Sequence, residues 1–91
     1  MTTHELKIWT EFFEPVVSGV KTFEVRADDR GFKVGDTLRL REWKPLWANG
    51  DPGNNVYTGR EVTVTVTYIL KEPGISFGFV VMAIALTGFV R

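Results

Sequence analysis

His4 to Trp9 sets Leu6 and Ile8 against Glu5 and Lys7, a period of two that predicts a first strand with one face in the core. The period then changes. Phe12, Phe13, Val16 and Val17 fall at i, i+1, i+4 and i+5, one face of a helix, with Thr10 as its N-cap and Gly19 where it stops. Pro15 removes one backbone donor, so about two turns are expected. Alternation returns over Lys21 to Ala27, with Phe23 and Val25 on one face and Thr22, Glu24 and Arg26 on the other. A polar loop, Asp28 to Gly31, and a turn at Gly35-Asp36 lead into a third strand, in which Leu38 and Leu40 alternate with Arg39 and Arg41 as far as Trp43.

Residues 44 to 59 hold two Pro, three Gly and three Asn, the composition of a loop, with Trp47 able to fold back onto the body. Glu61 to Ile69 is the clearest strand, with Val62, Val64, Val66 and Tyr68 facing one way and Thr63, Thr65 and Thr67 the other. After a Pro73-Gly74 turn, Phe79 to Leu86 is apolar throughout, as in a central strand or one curled into a barrel. The order β, α, β, β, long loop, β, β predicts a mixed α+β, mainly β fold. Five short strands roll most easily into a small barrel, which removes exposed edges, with the one short helix flanking an end.

Length and composition narrow this further. Ninety-one residues make a single domain, 1 to 91, and 44% hydrophobic with 24% charged residues is the balance of a chain that folds. With no cysteine and one histidine, His4, neither a disulfide framework nor a metal site is expected, and no cofactor is called for. No signal segment opens the chain, and the eight apolar residues from Phe79 are far short of a membrane span. A cytoplasmic protein is the expectation. The 11 basic and 11 acidic residues cancel, which excludes a protein that coats nucleic acid by charge alone. Yet residues 19 to 45 carry seven Lys or Arg against five acids, so the middle third is net +2.

Three groups in that third are chemically suggestive. Thr22, Glu24 and Arg26 point together from one strand face and suit hydrogen bonding to a polar ligand, although spacing alone favours an exposed face with a screened Glu24 to Arg26 contact worth ~0 to 1 kcal/mol. Lys21 and Glu24 are an odd number apart, so they cooperate only if Lys21 still lies in the loop before the strand. In the charged loop around Asp28 and Asp29, Arg30 and Lys33 suit phosphate contacts. Arg39, Arg41 and Trp43 share a face that serves equally as a phosphate-and-stacking platform or as a barrel exterior with arginines over an aromatic ring.

The blocks His4-Glu5-Leu6-Lys7-Ile8-Trp9, Ser18-Gly19-x-Lys21-Thr22-Phe23-Glu24-Val25-Arg26, Asp29-Arg30-Gly31-Phe32-Lys33-Val34-Gly35-Asp36, Arg41-Glu42-Trp43 and Tyr57-Thr58-Gly59-Arg60-Glu61 resemble a small bacterial and phage family of unknown function. That family is similar to the ASCH domains of the PUA-like superfamily. The resemblance implies a PUA-like β-barrel with a cleft beside the helix, in a superfamily whose members bind RNA or modified nucleosides. Some similar proteins are amidohydrolases that deacetylate acetylated cytidine, and others are linked to RNA cleavage. In the amidohydrolase pattern a Lys at the position of Lys21 is catalytic, and a Thr stands where this chain has Glu24; Val20 and the longer loop from Pro45 to Asn55 also depart from it. The expectation is therefore an RNA- or nucleoside-binding module with Thr22, Arg26, Asp29, Arg30 and Trp43 at the ligand. The enzymatic alternative uses Lys21 and Glu24 as catalytic residues. A protein-interaction module with Trp43 and Trp47 as anchors is a third reading.

Overall fold

A computed structural model describes residues 1–44, 56–71 and 74–88. Its elements run β1 (Thr3–Trp9), α1 (Thr10–Val17), β2 (Phe23–Ala27), β3 (Thr37–Lys44), β4 (Val56–Leu70) and β5 (Phe79–Leu86). The five strands form one sheet in the order β1-β3-β4-β5-β2. Only β1 with β3 is parallel; the other neighbours are antiparallel. The fold is mixed and mainly β, with a single short helix among the described residues directly after the first strand.

The inner face follows from strict alternation. His4, Leu6 and Ile8 of β1, Leu38 and Leu40 of β3, Val62, Val64 and Val66 of β4, and Val80, Met82 and Ile84 of β5 all turn inward, where α1 adds Phe13 and Val16. The continuous apolar run of β5 fits its place between β4 and β2, where it is paired on both edges.

Closure takes a form the alternation does not predict. The sheet curls into a half-barrel, and β1 and β2 are its two edges. Side chains span the seam between them: Arg26 donates from its guanidinium to the Lys7 carbonyl, and Arg30 Nη1 donates to the Glu5 carbonyl at 3.1 Å. Two guanidiniums thus satisfy edge acceptors that a closed ladder would pair with backbone amides.

Several boundaries and one facing differ from expectation, among them the start of β2, which is Phe23 rather than Lys21. Lys44 and residues 56 to 59 are strand rather than loop, because Trp43 pairs with Tyr57 and Lys44 with Val56 beyond a register shift. Gly59, at φ +94°, lets the chain bulge and continue, so the last residues of a stretch whose Pro, Gly and Asn content reads as loop belong to the strand. Tyr68 does not join Val62, Val64 and Val66 inside: a second register shift after Val66 turns it outward, and Ile69 packs against the core instead. Thr10 is the first helical residue rather than the cap, which is Trp9 and provides no side-chain bond. The helix ends as expected, with Gly19 at φ +82° donating to the Val16 carbonyl. Trp47, most of the 44 to 59 loop and Pro73 lie outside the described residues.

Two buried carboxylates hold the ends of the sheet. Asp36 accepts from His4 Nε2 at 2.8 Å and from the Thr2 and Lys33 amides, tying the start of β1 to the turn before β3. Glu42, 2% exposed, takes Arg60 in a fork at 2.7 and 2.9 Å and the Thr58 hydroxyl at 2.6 Å, while Arg60 reaches on to Glu14 of α1. The bulge at Gly59 brings both Thr58 and Arg60 to the same carboxylate.

Both acids are held below their ordinary values. For Asp36 the hydrogen bond from His4 is the main cause, outweighing burial; for Glu42 it is the hydrogen bond from Arg60, again against burial. A carboxyl depressed in the folded state stabilises the fold above its unfolded value, here 3.8 and 4.5, and that contribution is lost as pH falls through the lower folded values. Urea midpoints should therefore stay level down to about pH 5 and drop steeply below about pH 4. Glu42→Gln should lower the neutral-pH midpoint and flatten the acid limb. An unchanged acid limb in that variant would show that Glu42 is not the linked group.

Candidate functional site

A cleft of about 390 Å³ opens where β1, α1 and β2 meet, lined by Lys7, Ile8, Trp9, Phe12, Lys21, Phe23, Glu24, Val25 and Arg26. Its position follows from the seam: β1 and β2 are not hydrogen-bonded neighbours, so a gap remains between them above the Arg26 bridge, and α1 closes one end. Trp9 ends β1, Phe12 stands on the outer side of the first helical turn, and Phe23 opens β2. All three are half-exposed aromatic walls.

The floor is polar. Glu24 is only 4% exposed, and Lys21 Nζ donates to its Oε1 at 2.9 Å while Arg26 Nε donates to its Oε2 at 2.7 Å. Lys21 Nζ also donates to the Phe23 carbonyl at 2.8 Å and lies 5.1 Å from the Phe23 ring and 5.6 Å from the Phe12 ring. The geometry rests on where β2 begins. The strand starts at Phe23, so Lys21 is still in the loop, its amide bonded to the Pro15 carbonyl of α1, and its side chain folds onto the face that carries Glu24.

This overturns the exposed-face expectation for β2. Glu24 and Arg26 turn inward, and Phe23 and Val25, 46% and 49% exposed, turn outward. An edge strand at a seam can bury charged side chains because the seam supplies their partners.

The other expected ligand residues stand elsewhere. Thr22 is exposed and does not line the cleft; its carbonyl accepts from the Ile84 amide. Asp29 is exposed and pairs loosely with Arg30 at 3.8 Å, and Arg30 is committed to the seam. Trp43 lies behind the cleft wall, edge-on to Trp9 at 5.4 Å with the Lys7 ammonium 4.2 Å over its ring, so it supports the wall rather than touching a ligand there. On the outer face, Arg39 bonds Glu61 and Glu5, and Arg41 reaches Glu5 and covers the Tyr57 ring at 3.9 Å. These arginines are engaged with the protein itself, the exterior arrangement rather than a phosphate platform.

Sequence reasoning missed Lys7, Trp9, Phe12 and Phe23 as cleft residues. One signal was present: Phe12 and Phe13 are adjacent on a helix, roughly 100° apart, so a two-turn helix packed on one side cannot bury both. Among the described residues no set of three His, Cys, Asp or Glu side chains is grouped as metal ligands, and no helix is long and apolar enough to cross a membrane.

The fold and cleft define a small curled-sheet protein with an aromatic-walled recess over a Lys-Glu-Arg cluster centred on the buried Glu24. The chain belongs to the family described as a domain of unknown function, DUF3850, whose model matches residues 3–84. It is also similar to the uncharacterized 12.9 kDa protein in the GpA 3' region of Escherichia phage P2, with 38% identity over 64 residues, 70% of this chain and 50% of the phage protein. The chain thus spans about half the length of that curated relative.

Proposed function

We propose that the cleft binds a nucleoside, either free or as an unstacked base of single-stranded RNA. The observation that carries this reading is the combination of three aromatic walls with the Lys21-Glu24-Arg26 floor. A base offers a flat face to stack and a polar edge to hydrogen-bond, and stacking between aromatic side chains is how single-stranded bases are commonly held. The lining carries Lys7, Lys21 and Arg26 against Glu24, a net +2 that favours a ligand with phosphate attached. A volume of about 390 Å³ suits one nucleoside rather than a strand. The resemblance to ASCH domains points the same way.

A second reading, hydrolysis of an acyl group from the exocyclic amine of a modified nucleoside, is favoured by the 2.9 Å contact between Lys21 Nζ and Glu24 Oε1 inside the cleft. A lysine hydrogen-bonded to a carboxylate sets a proton donor and a proton acceptor side by side, the parts an acid-base pair requires. One NMR titration separates the two. Labelled protein is mixed with a short single-stranded RNA and, separately, with acetylated cytidine, while backbone shifts and the acetate methyl signal are followed. Binding predicts shifts at residues 7 to 9, 12 and 21 to 26 without acetate. Acetate that accumulates with the wild-type chain and not with Lys21→Met would establish the hydrolase. Silence with both ligands removes both readings.

A further inference from the structure

The floor of the cleft presents its hydrogen-bonding groups in a definite sequence. Glu24 Oε1 and Oε2 each accept one N–H, from Lys21 and Arg26 respectively, and a carboxylate has about four acceptor sites, so roughly two remain. Lys21 Nζ donates to Glu24 Oε1 and to the Phe23 carbonyl, and an ammonium has three N–H groups, so one remains. Arg26 has five N–H groups and spends two, on Glu24 and the Lys7 carbonyl, so from Lys21 across Glu24 to Arg26 the free capacity reads donor, acceptor, acceptor, donor.

Resting on the nucleoside reading above, we propose that the base selected is guanine. Its Watson–Crick edge presents the 2-amino group, N1–H and O6, which is donor, donor, acceptor. The two donors fit the paired oxygens of Glu24, and O6 falls to the Lys21 ammonium. No other standard base has two adjacent donors. Adenine sets one amine beside a bare ring nitrogen, cytosine sets one amine beside two acceptors, and uracil sets a single N–H between two carbonyls. Each offers a single donor group along this edge, so it engages one oxygen of the buried Glu24 carboxylate where guanine engages both, and the charge-assisted hydrogen bond it lacks is the margin of selectivity. Stacking on Trp9, Phe12 and Phe23 tolerates every base, so discrimination must come from the floor. Glu24 cannot donate, which fixes the sign of the preference.

The test compares GMP, IMP, AMP, CMP and UMP by calorimetric titration of the full chain, alongside short uridine-rich RNAs that carry one guanosine, inosine or adenosine. GMP and the guanosine RNA should bind ten- to hundredfold more tightly than the adenosine, cytidine and uridine ligands, the range expected of a good bidentate contact. Inosine, which lacks only the 2-amino group, should bind roughly tenfold more weakly than guanosine. Glu24→Gln, with one acceptor instead of two, should lose the preference. If that variant does not fold, the guanosine-inosine comparison on the unaltered chain decides alone. Equal affinity for all bases, or tighter binding of another base, overturns the guanine assignment and leaves the nucleoside reading standing. Absence of saturable binding with every ligand overturns both.

Discussion

Replacing Phe13 with alanine is expected to destabilise the protein by about 3 to 5 kcal/mol, the cost of truncating a fully buried phenylalanine and leaving a cavity. In a chain of this size that lowers the melting temperature by roughly 15 to 30 °C. Phe13 and Val16 are the two helix residues fully inside the core, and an eight-residue helix has no stability of its own in water. Arg60 also lies 4.8 Å over the Phe13 ring, so the truncation loosens the side chain that joins Glu42 to Glu14. Phe12→Ala is the matched control: its ring is half-exposed, so stability should change by about 1 kcal/mol or less, while the proposed nucleoside binding should weaken. Thermal melts of the two variants check this. A Phe13→Ala protein that melts like the Phe12→Ala protein would mean that α1 is not anchored by its inner face.

The second large effect belongs to Arg26. This side chain bonds Glu24 within the floor and the Lys7 carbonyl across the seam, so Arg26→Ala should cost about 2 to 4 kcal/mol by leaving a buried carboxylate with one cation and the seam with one bridge. Arg26→Lys should recover little of that loss. The planar guanidinium serves two acceptors in different directions from a fixed fork, and an ammonium offers a single point. Chemical denaturation measures the cost, and amide exchange along β1 reports the seam. An Arg26→Lys variant as stable as wild type would show that charge alone suffices there.

Much of the architecture was legible because it rests on local periodicity. The alternation in β1, β3 and the middle of β4 gives the inner face directly, and the change of period at Phe12 gives the helix. The failures occur where a partner strand, rather than local pattern, sets the outcome. Tyr68 continues the valine alternation in sequence, yet the register shift against β5 reverses its side. Val56 to Gly59 closes a stretch, residues 44 to 59, whose composition is that of a loop, yet pairing with Trp43 and Lys44 extends the strand. In β2, hydropathy assigns Glu24 and Arg26 to solvent, whereas the seam provides the cations and carbonyl that allow them to be buried.

The candidate site was legible in its polar half only. Lys21, Glu24 and Arg26 were visible as a cluster within six residues, and their meeting depended on Lys21 preceding the strand, as it does. Trp9 and Phe12 come from other elements and join them only through the fold. Thr22, Asp29 and Arg30 were drawn in by proximity along the chain, but the outward turn of Thr22 and the commitment of Arg30 to Glu5 place them outside the recess.

The pairing of β2 with β5 also bears on how the molecule is made. Phe23 lies opposite Ala83, sixty residues further along, and Ala27 opposite Phe79, so β2 has no sheet partner until residues 79 to 83 have been synthesised. Closing so long a loop is entropically costly and slows folding relative to proteins built from hairpins and helices. The strand that carries Glu24 and Arg26 therefore cannot complete its sheet pairing before β5 is available. A nascent chain released before residue 79 would hold every residue that lines the recess and still have no recess.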